Sequence, residues 1–353
     1  MNIDGWSKKI AVILLSVVLL GLLAGCGQSG GTVADSQGSQ ELVVYSSRNE
    51  TFVDSLLQKF EEETGVNVQV LHAGDAVVNR ISEERNNVQA DVFISNDVGA
   101  MEFLRLEDLL EGNSPEGIKS IHSNYRADDL SWFALSARTR VLIYNADLIS
   151  EEEMPARIEE LADPVWKNRF AITRGGNGGM IGHVSALRYE WGDEATQEWL
   201  TAVKDNAGAI MQGHGDIRRA VGAGEFEFGL VNNYYYHQQL REPENNNVGV
   251  VYPDQGESDM GAVINAAGIA FIKNGPNQEN TRLFADWILK PENQSEFSFA
   301  SLEVPINPEI EAVSEALPIS AYKVHGMPLK ERGDVWMDSR QLIEASGFDM
   351  ELR

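Results

Sequence analysis

Cysteine is nearly missing from this chain of 353 residues: there is one, Cys26. A disulfide within the chain is therefore impossible, even in a compartment that would permit one. Histidine is scarce as well, six in all, and no HExxH, CxxC or His-rich cluster occurs. Zinc sites of the usual spacing are not supported. Basic charge is short too. Lys and Arg number 28 against 54 Asp and Glu, a formal charge of −26, and such a surface argues against nucleic acid, whose phosphates need cations. The acidity favours cations in the general field but by itself identifies no ligand. The one GxSxG match, at 27–31, falls in the glycine- and serine-rich segment after Cys26 and not at a strand-to-helix elbow, and no Gly-Lys-Ser/Thr follows the glycine run at 175–179, so esterase-like and nucleotide-triphosphatase sites find no support.

Long apolar runs are missing except at the start. Lys8 and Lys9 precede an almost unbroken apolar stretch from Ile10 to Ala24, the charged-then-apolar order of a secretory signal and too short for a comfortable membrane span. It closes in Leu23-Ala24-Gly25-Cys26, which resembles the bacterial lipobox. The resemblance implies a leader over 1–25 and lipidation of Cys26, so that the protein is anchored to a lipid membrane rather than spanning it. An ordinary signal peptide, or an uncleaved anchor helix with an incidental cysteine, is the other reading. Residues 26–40, rich in Gly, Ser and Gln, read as a flexible linker.

About 310 residues follow, enough for a large core and more naturally two lobes than one. Leu42–Ser46 is a β-branched run; 51–64 has helical apolar spacing and is stopped by Gly65; Val66–Leu71 alternates. A helix over 75–85 and a strand over 91–94 complete a β-α-β-α-β order, which predicts an α/β fold with a largely parallel sheet. Ligands then lie beyond the carboxyl ends of strands, near 46–50 and 95–97. Further on, strands are expected at 132–135 and 140–144 as a pair, at 169–173, at 229–231 and within 262–271. Helices are expected from the glycine run to about 190, at 196–206 and at 280–289. No internal repeat is present, and no low-complexity stretch lies outside the linker.

Several segments resemble, in order, the ferric-ion-binding branch of the solute-binding proteins of bacterial ABC transporters. They are Val43-Val44-Tyr45-Ser46-Ser47-Arg48, 60–66 (FEEETGV), Ala90-Asp91-Val92-Phe93, 135–141 (LSARTRV), 231–236 (VNNYYY) and Pro305-Ile306-Asn307-Pro308. The resemblance covers essentially the whole mature chain. It implies a type II periplasmic-binding-protein fold with mixed, mostly parallel sheets and a hinge, lobe 1 comprising 41–140 and 262–308 and lobe 2 comprising 141–261 and 309–353. It also implies a monomer outside the cytoplasm, in the cell envelope, that serves an ABC transporter permease.

In that family the two tyrosines after the Asn-Asn pair coordinate ferric iron, and they map onto Tyr234 and Tyr235. Ferric iron is a hard cation that prefers anionic oxygen and holds phenolate well below the free tyrosine pKa of about 10. Taken alone, three aromatics in a row equally suit a packed hinge or stacking on an organic ligand. The chain departs from the family elsewhere: Asn49-Glu50 stands where many members carry a histidine, Asn96-Asp97 where some carry a glutamate, and Gly178-Gly179-Met180 where others place a further tyrosine. Glu50 and Asp97 are candidate substitutes as oxygen donors. His214, in a glycine-flanked turn, is a third candidate ligand, or a hydrogen-bonding residue. His183 and His237, on expected helices, receive the same reading.

A second chemistry is oxyanion recognition. Asn177, Gly178 and Gly179 open a helix whose free N–H groups suit carbonate, phosphate or a carboxylate. Arg138 maps onto a family arginine near the synergistic anion, Arg174 is a further candidate, and Asn232 or Asn233 suits a helix cap. The bland alternatives are a structural turn and strand-end arginines. The leading expectation is capture of Fe(3+), with carbonate or phosphate as accompanying anion and no enzymatic step. The alternatives are a small organic anion (phosphonate, sugar phosphate or carboxylate) bound without metal and, last, a lipid-anchored hydrolase whose triad would assemble from distant segments.

Overall fold

The computed structural model describes residues 40–350 except Asp75, Ser314 and Glu315. The leader, Cys26 and all of the linker but Gln40 lie outside the described residues. In chain order the elements are β1 (Glu41–Ser46), α1 (Asp54–Thr64), β2 (Asn67–His72), α2 (Ala76–Glu83), β3 (Val92–Ser95), α3 (Val98–Leu106) and β4 (Trp132–Asn145). Then follow β5 (Phe170–Thr173), α4 (Gly178–Asn206), β6 (Ala209–Met211), α5 (His214–Gly222), β7 (Phe228–Asn232), α6 (Asn233–Leu240) and β8 (Val248–Val251). The last are β9 (Ile264–Phe271), α7 (Gln278–Ile288), α8 (Pro291–Phe299), β10 (Val304–Pro305) and α9 (Arg332–Ala345).

The strands run in the order β2-β1-β3-β9-β4-β7-β5-β6, with β8 and β10 also paired to β4. Two triplets are parallel: β2-β1-β3 at one end and β7-β5-β6 at the other. Between them β9 and β4 pair antiparallel with each other and with their neighbours. Parallel strands need crossover helices, and α1, α2, α4 and α5 supply them. The N-terminal triplet follows the sequence expectation closely. Gly65 ends α1 at φ 74°, a left-handed cap that a Cβ would strain. Leu56, Leu57 and Phe60 of α1 are buried, and Phe60 meets Phe284 and Trp287 edge-on at 5.1 and 5.2 Å. Truncating such a ring to alanine costs about 3–5 kcal/mol.

The expected pair of strands at 132–135 and 140–144 is one strand of 14 residues, buried along its whole length. The polar stretch Ser136–Arg140 reads as a break in sequence, yet each of these side chains but one finds a partner inside. Ser136 donates to Glu303, Arg138 pairs with Glu303 at 3.6 Å, and Thr139 Oγ1 bonds the Tyr322 hydroxyl at 2.6 Å. Ala137 has no polar side chain to satisfy. A register shift between Ala134 and Ser136 lets the strand continue. The two helices expected at about 178–190 and 196–206 are one element interrupted at Gly192, which takes φ 79°. The C-terminal α9 packs on both α3 and α4. No helix among the described residues is long and apolar enough to cross a membrane.

Candidate functional site

Each parallel triplet directs its carboxyl ends into one cleft of about 170 Å³. From the first triplet come Ser47 just beyond β1, Gly74 beyond β2 and Asn96 beyond β3. From the second come the starts of three helices: Asn177, Gly178 and Gly179 at α4, His214 at α5, and Asn232, Tyr234 and Tyr235 at α6. Arg138 of β4 completes the lining. Three helix N-termini pointing into one cleft give it positive partial charge before any side chain is counted.

The tyrosine pair sits in the first turn of α6, with ring centroids 4.4 Å apart. Tyr234 is buried and meets Phe52 edge-on at 6.5 Å. Burial pushes the Tyr235 phenol well above its ordinary range, and the neighbouring Tyr234 adds to this while Arg138 opposes it. Without a bound cation the Tyr235 phenol is therefore protonated at neutral pH. Asn177 caps α4 by accepting from Gly179 N at 2.9 Å. Gly179 is required by space, since a Cβ there would lie 2.8 Å from His214 Cε1 and 3.4 Å from Arg140 Nη1.

Arg140 lies outside the sequence-derived set, and it organises this wall. It follows Arg138 by two positions on β4, so both guanidiniums share one face. That spacing was the available signal. Its Nη1 donates to His214 Nε2 at 2.7 Å and to Asn232 Oδ1 at 3.1 Å. Burial, with Arg138 adding and Tyr234 opposing, lowers its pKa to about 9. The group still carries its charge at neutral pH. His214 is held well below the ordinary histidine range by burial and then by Arg140 and Arg138. Because an arginine can only donate, Nε2 of the neutral ring accepts and Nδ1 carries the proton. His214 thus reaches the cleft as a hydrogen-bond donor, with its accepting nitrogen already used.

Asn232 stands at the N-cap position of α6 but makes no side-chain cap bond, its oxygen being taken by Arg140. Asn233 Oδ1 instead accepts from Thr139 N at 3.0 Å and so ties α6 to β4. Glu50 is exposed and does not line the cleft. Asp97 is buried and turned away from it: Oδ1 accepts from Gly99 N and Asn265 Nδ2, and Oδ2 accepts from Trp336 Nε1 at 2.9 Å. An aspartate just past a strand also caps the next helix, and here capping wins. Arg174 pairs with Asp349 and does not line the cleft. His183 is fully buried on α4, and His237 is buried on α6. Among the described residues no group of three or more His, Cys, Asp or Glu side chains is arranged to hold a metal ion. The cleft therefore offers phenols, amides, backbone N–H groups, the His214 imidazole and the Arg138 guanidinium, with Arg140 behind them.

Residues 87–323 match the model of the bacterial extracellular solute-binding proteins. This chain belongs to that family. It is 28% identical over 347 residues to iron uptake protein A1 of Synechocystis sp., covering 93% of each chain. It is 28% identical over 283 residues to the major ferric iron-binding protein of Neisseria meningitidis, covering 79% of this chain and 85% of that one. Among solved structures, iron-bound HitA from Pseudomonas aeruginosa superposes with a TM-score of 0.81 at 25% identity, over 87% of this chain and 99% of that one. The solute-binding protein has the type II periplasmic-binding-protein fold, as the sequence led us to expect.

Proposed function

We propose that this solute-binding protein captures ferric iron, together with an accompanying anion, in the cleft between its two parallel triplets, and passes it to an ABC transporter permease. The observation that carries the reading is the adjacent pair Tyr234 and Tyr235 lining the cleft beside Arg138 and the start of α4. Relatives that align along most of this chain are named for iron uptake or ferric-iron binding, which supports the choice of cargo. On this reading both phenols lose their protons to the metal and bind it as phenolates, the hard anionic oxygens that ferric iron prefers.

Charge then requires a co-ligand. Two phenolates do not neutralise a trivalent ion that sits beside the guanidiniums of Arg138 and Arg140. An oxyanion such as carbonate or phosphate, held by Arg138, by His214 Nδ1–H and by the Gly178 N–H at the start of α4, supplies the balance and further oxygen donors. Closure of the wall carrying Ser47, Gly74 and Asn96 over the cargo excludes water; the lobe limits given above are part of this proposal. Anchoring through a lipidated Cys26 in the cell envelope, a monomeric state and the absence of turnover complete it.

A second reading keeps the fold and replaces the metal with a small organic anion. The Arg138 guanidinium in the lining, backed by Arg140, and the lack of a carboxylate cluster among the described residues favour it, and a relative 23% identical over 275 residues is named for binding 2-aminoethylphosphonate. An absorbance titration of the metal-stripped protein with a soluble ferric chelate, with and without carbonate or phosphate, separates the two. The iron reading expects a visible phenolate-to-iron band that saturates at one iron per chain and is lost in Tyr234→Phe and Tyr235→Phe. No band under any anion condition overturns it.

A further inference from the structure

Behind the cleft lies an uncommon arrangement: buried cationic and imidazole groups whose nitrogens are left over. Arg332, at the start of α9, is 1% exposed, and none of its three guanidinium nitrogens has a hydrogen-bond partner among the described residues. Both ring nitrogens of His183 and Nε and Nη2 of Arg140 likewise have none; Arg138 Nη1 makes no hydrogen bond but is ion-paired with Glu303 at 3.6 Å. A buried ion without partners is costly, so such groups mark a place where something with oxygen atoms belongs.

These groups form one region that continues from the cleft. Gly179, Gly182 and His183 share a face of α4 at helical spacing. A Cβ at Gly179 would touch His214 and Arg140, and one at Gly182 would lie 2.5 Å from Asn265 Nδ2 and 3.8 Å from Arg332 Nη1. The glycine face therefore passes from Arg140 at the cleft to Arg332 in the interior. The charges sense one another: Arg138 acts on Arg332, and Arg140 and Arg332 act on His183. Burial lowers Arg332 to about 10, so it remains charged at neutral pH. The carboxylate that acts on Arg332 is Asp97, whose oxygens are engaged by Gly99, Asn265 and Trp336. Asp97 offers Arg332 charge but no hydrogen bond.

We propose a second oxyanion subsite in this interior region, formed by Arg332, His183 and the glycine face of α4, that binds a carboxylate or phosphate group. A guanidinium fork presents paired donors to such a group, and neighbouring Arg140 and Arg138 supply field. The oxyanion is either a free ion or one arm of a chelator that arrives with the metal. The latter use rests on the ferric-iron reading, whereas the subsite itself does not.

The test uses the metal-stripped chain and the variants Arg332→Met, which keeps the apolar stem, and Arg332→Lys, which keeps the charge. Affinities for inorganic phosphate and for ferric citrate are measured by calorimetry, with thermal unfolding confirming that each variant is folded. Arg332→Met is expected to lose at least about tenfold in affinity, as for a hydrogen bond to a charged group, with Arg332→Lys between it and the parent. Loss confined to phosphate identifies a free ion as the occupant, and loss confined to ferric citrate identifies a chelator arm. Folded Arg332→Met and Arg332→Lys proteins with parental affinity for both overturn the subsite. The phenolate-to-iron band is expected to persist in Arg332→Met, so a missing band in the parent would count against the iron reading and leave the phosphate result standing.

Discussion

The two parallel triplets make the same structural gesture and bring different chemistry to it. β2-β1-β3 ends on a hydroxyl, a glycine and a carboxamide at Ser47, Gly74 and Asn96, whereas β7-β5-β6 ends on helix starts bearing Tyr234, Tyr235, His214 and Asn177–Gly179, with Arg138 and Arg140 beneath. The neutral wall is also internally tied: Asn96 N donates to Ser47 Oγ at 3.1 Å, and Asn96 Nδ2 donates to Ser47 O at 3.0 Å. One wall is built to hold charge and the other to cover it. On the proposed reading this asymmetry is why the cargo arrives with an anion: among the described residues, those lining the covering wall (Ser47, Gly74 and Asn96) bring no carboxylate or imidazole with which to finish a coordination sphere.

The sharpest way to break the comparison is on the charged wall. Tyr235→Phe is expected to weaken ferric-iron binding by more than about a hundredfold, beyond the usual range for groups behind the ligands, and to abolish the visible band. Parental iron affinity by competition with a chelator would end the assignment. The pH dependence comes next. The Tyr235 phenol is raised above its ordinary value in the metal-free chain, so binding must release its proton, and affinity falls as pH falls. A decrease of about tenfold per pH unit for each phenol proton released is expected between pH 8 and 6, read by potentiometric or competition titration. A flat profile would show that neither phenol is displaced.

Arg140→Met should be smaller, about ten- to a hundredfold, because Arg140 acts by holding His214 and Asn232 rather than by touching the cargo. Loss of its charge also removes one cation that favours phenolate, so the loading curve is expected to move to higher pH. On the neutral wall, Asn96→Asp is expected to reduce the dependence of iron loading on added carbonate or phosphate, since it supplies an anionic oxygen from the protein. Unchanged anion dependence would mean that the wall does not close on the metal. The smallest effect belongs to Glu50→Ala. This residue is exposed and outside the cleft lining, so iron affinity within about twofold of the parent is expected, as for a surface substitution.

The sequence determined by itself whatever depends on local pattern. The alternation and helical spacing of 41–95 suffice for the first parallel triplet, because each strand and helix there carries its own apolar face and its own stop signal, as at Gly65. The ordered segments from Val43 to Pro308 pointed to the family, and the Asn232–Tyr236 run pointed to the tyrosines, which the fold brings to the cleft together with Arg138, Asn177, Gly178, Gly179 and His214. Tertiary structure alone decided how the acidic and basic candidates are used. Asp97 and Glu50 are equally plausible oxygen donors as letters, yet Asp97 turns inward to cap α3 and meet Trp336, and Glu50 faces solvent. Only folding brings Arg332 near Arg138 and Asp97, residues more than 190 positions earlier in the chain. Periodicity reports which face of an element is apolar; it cannot report which distant side chain arrives to share a buried charge, and that pairing is what distinguishes a ligand from a support.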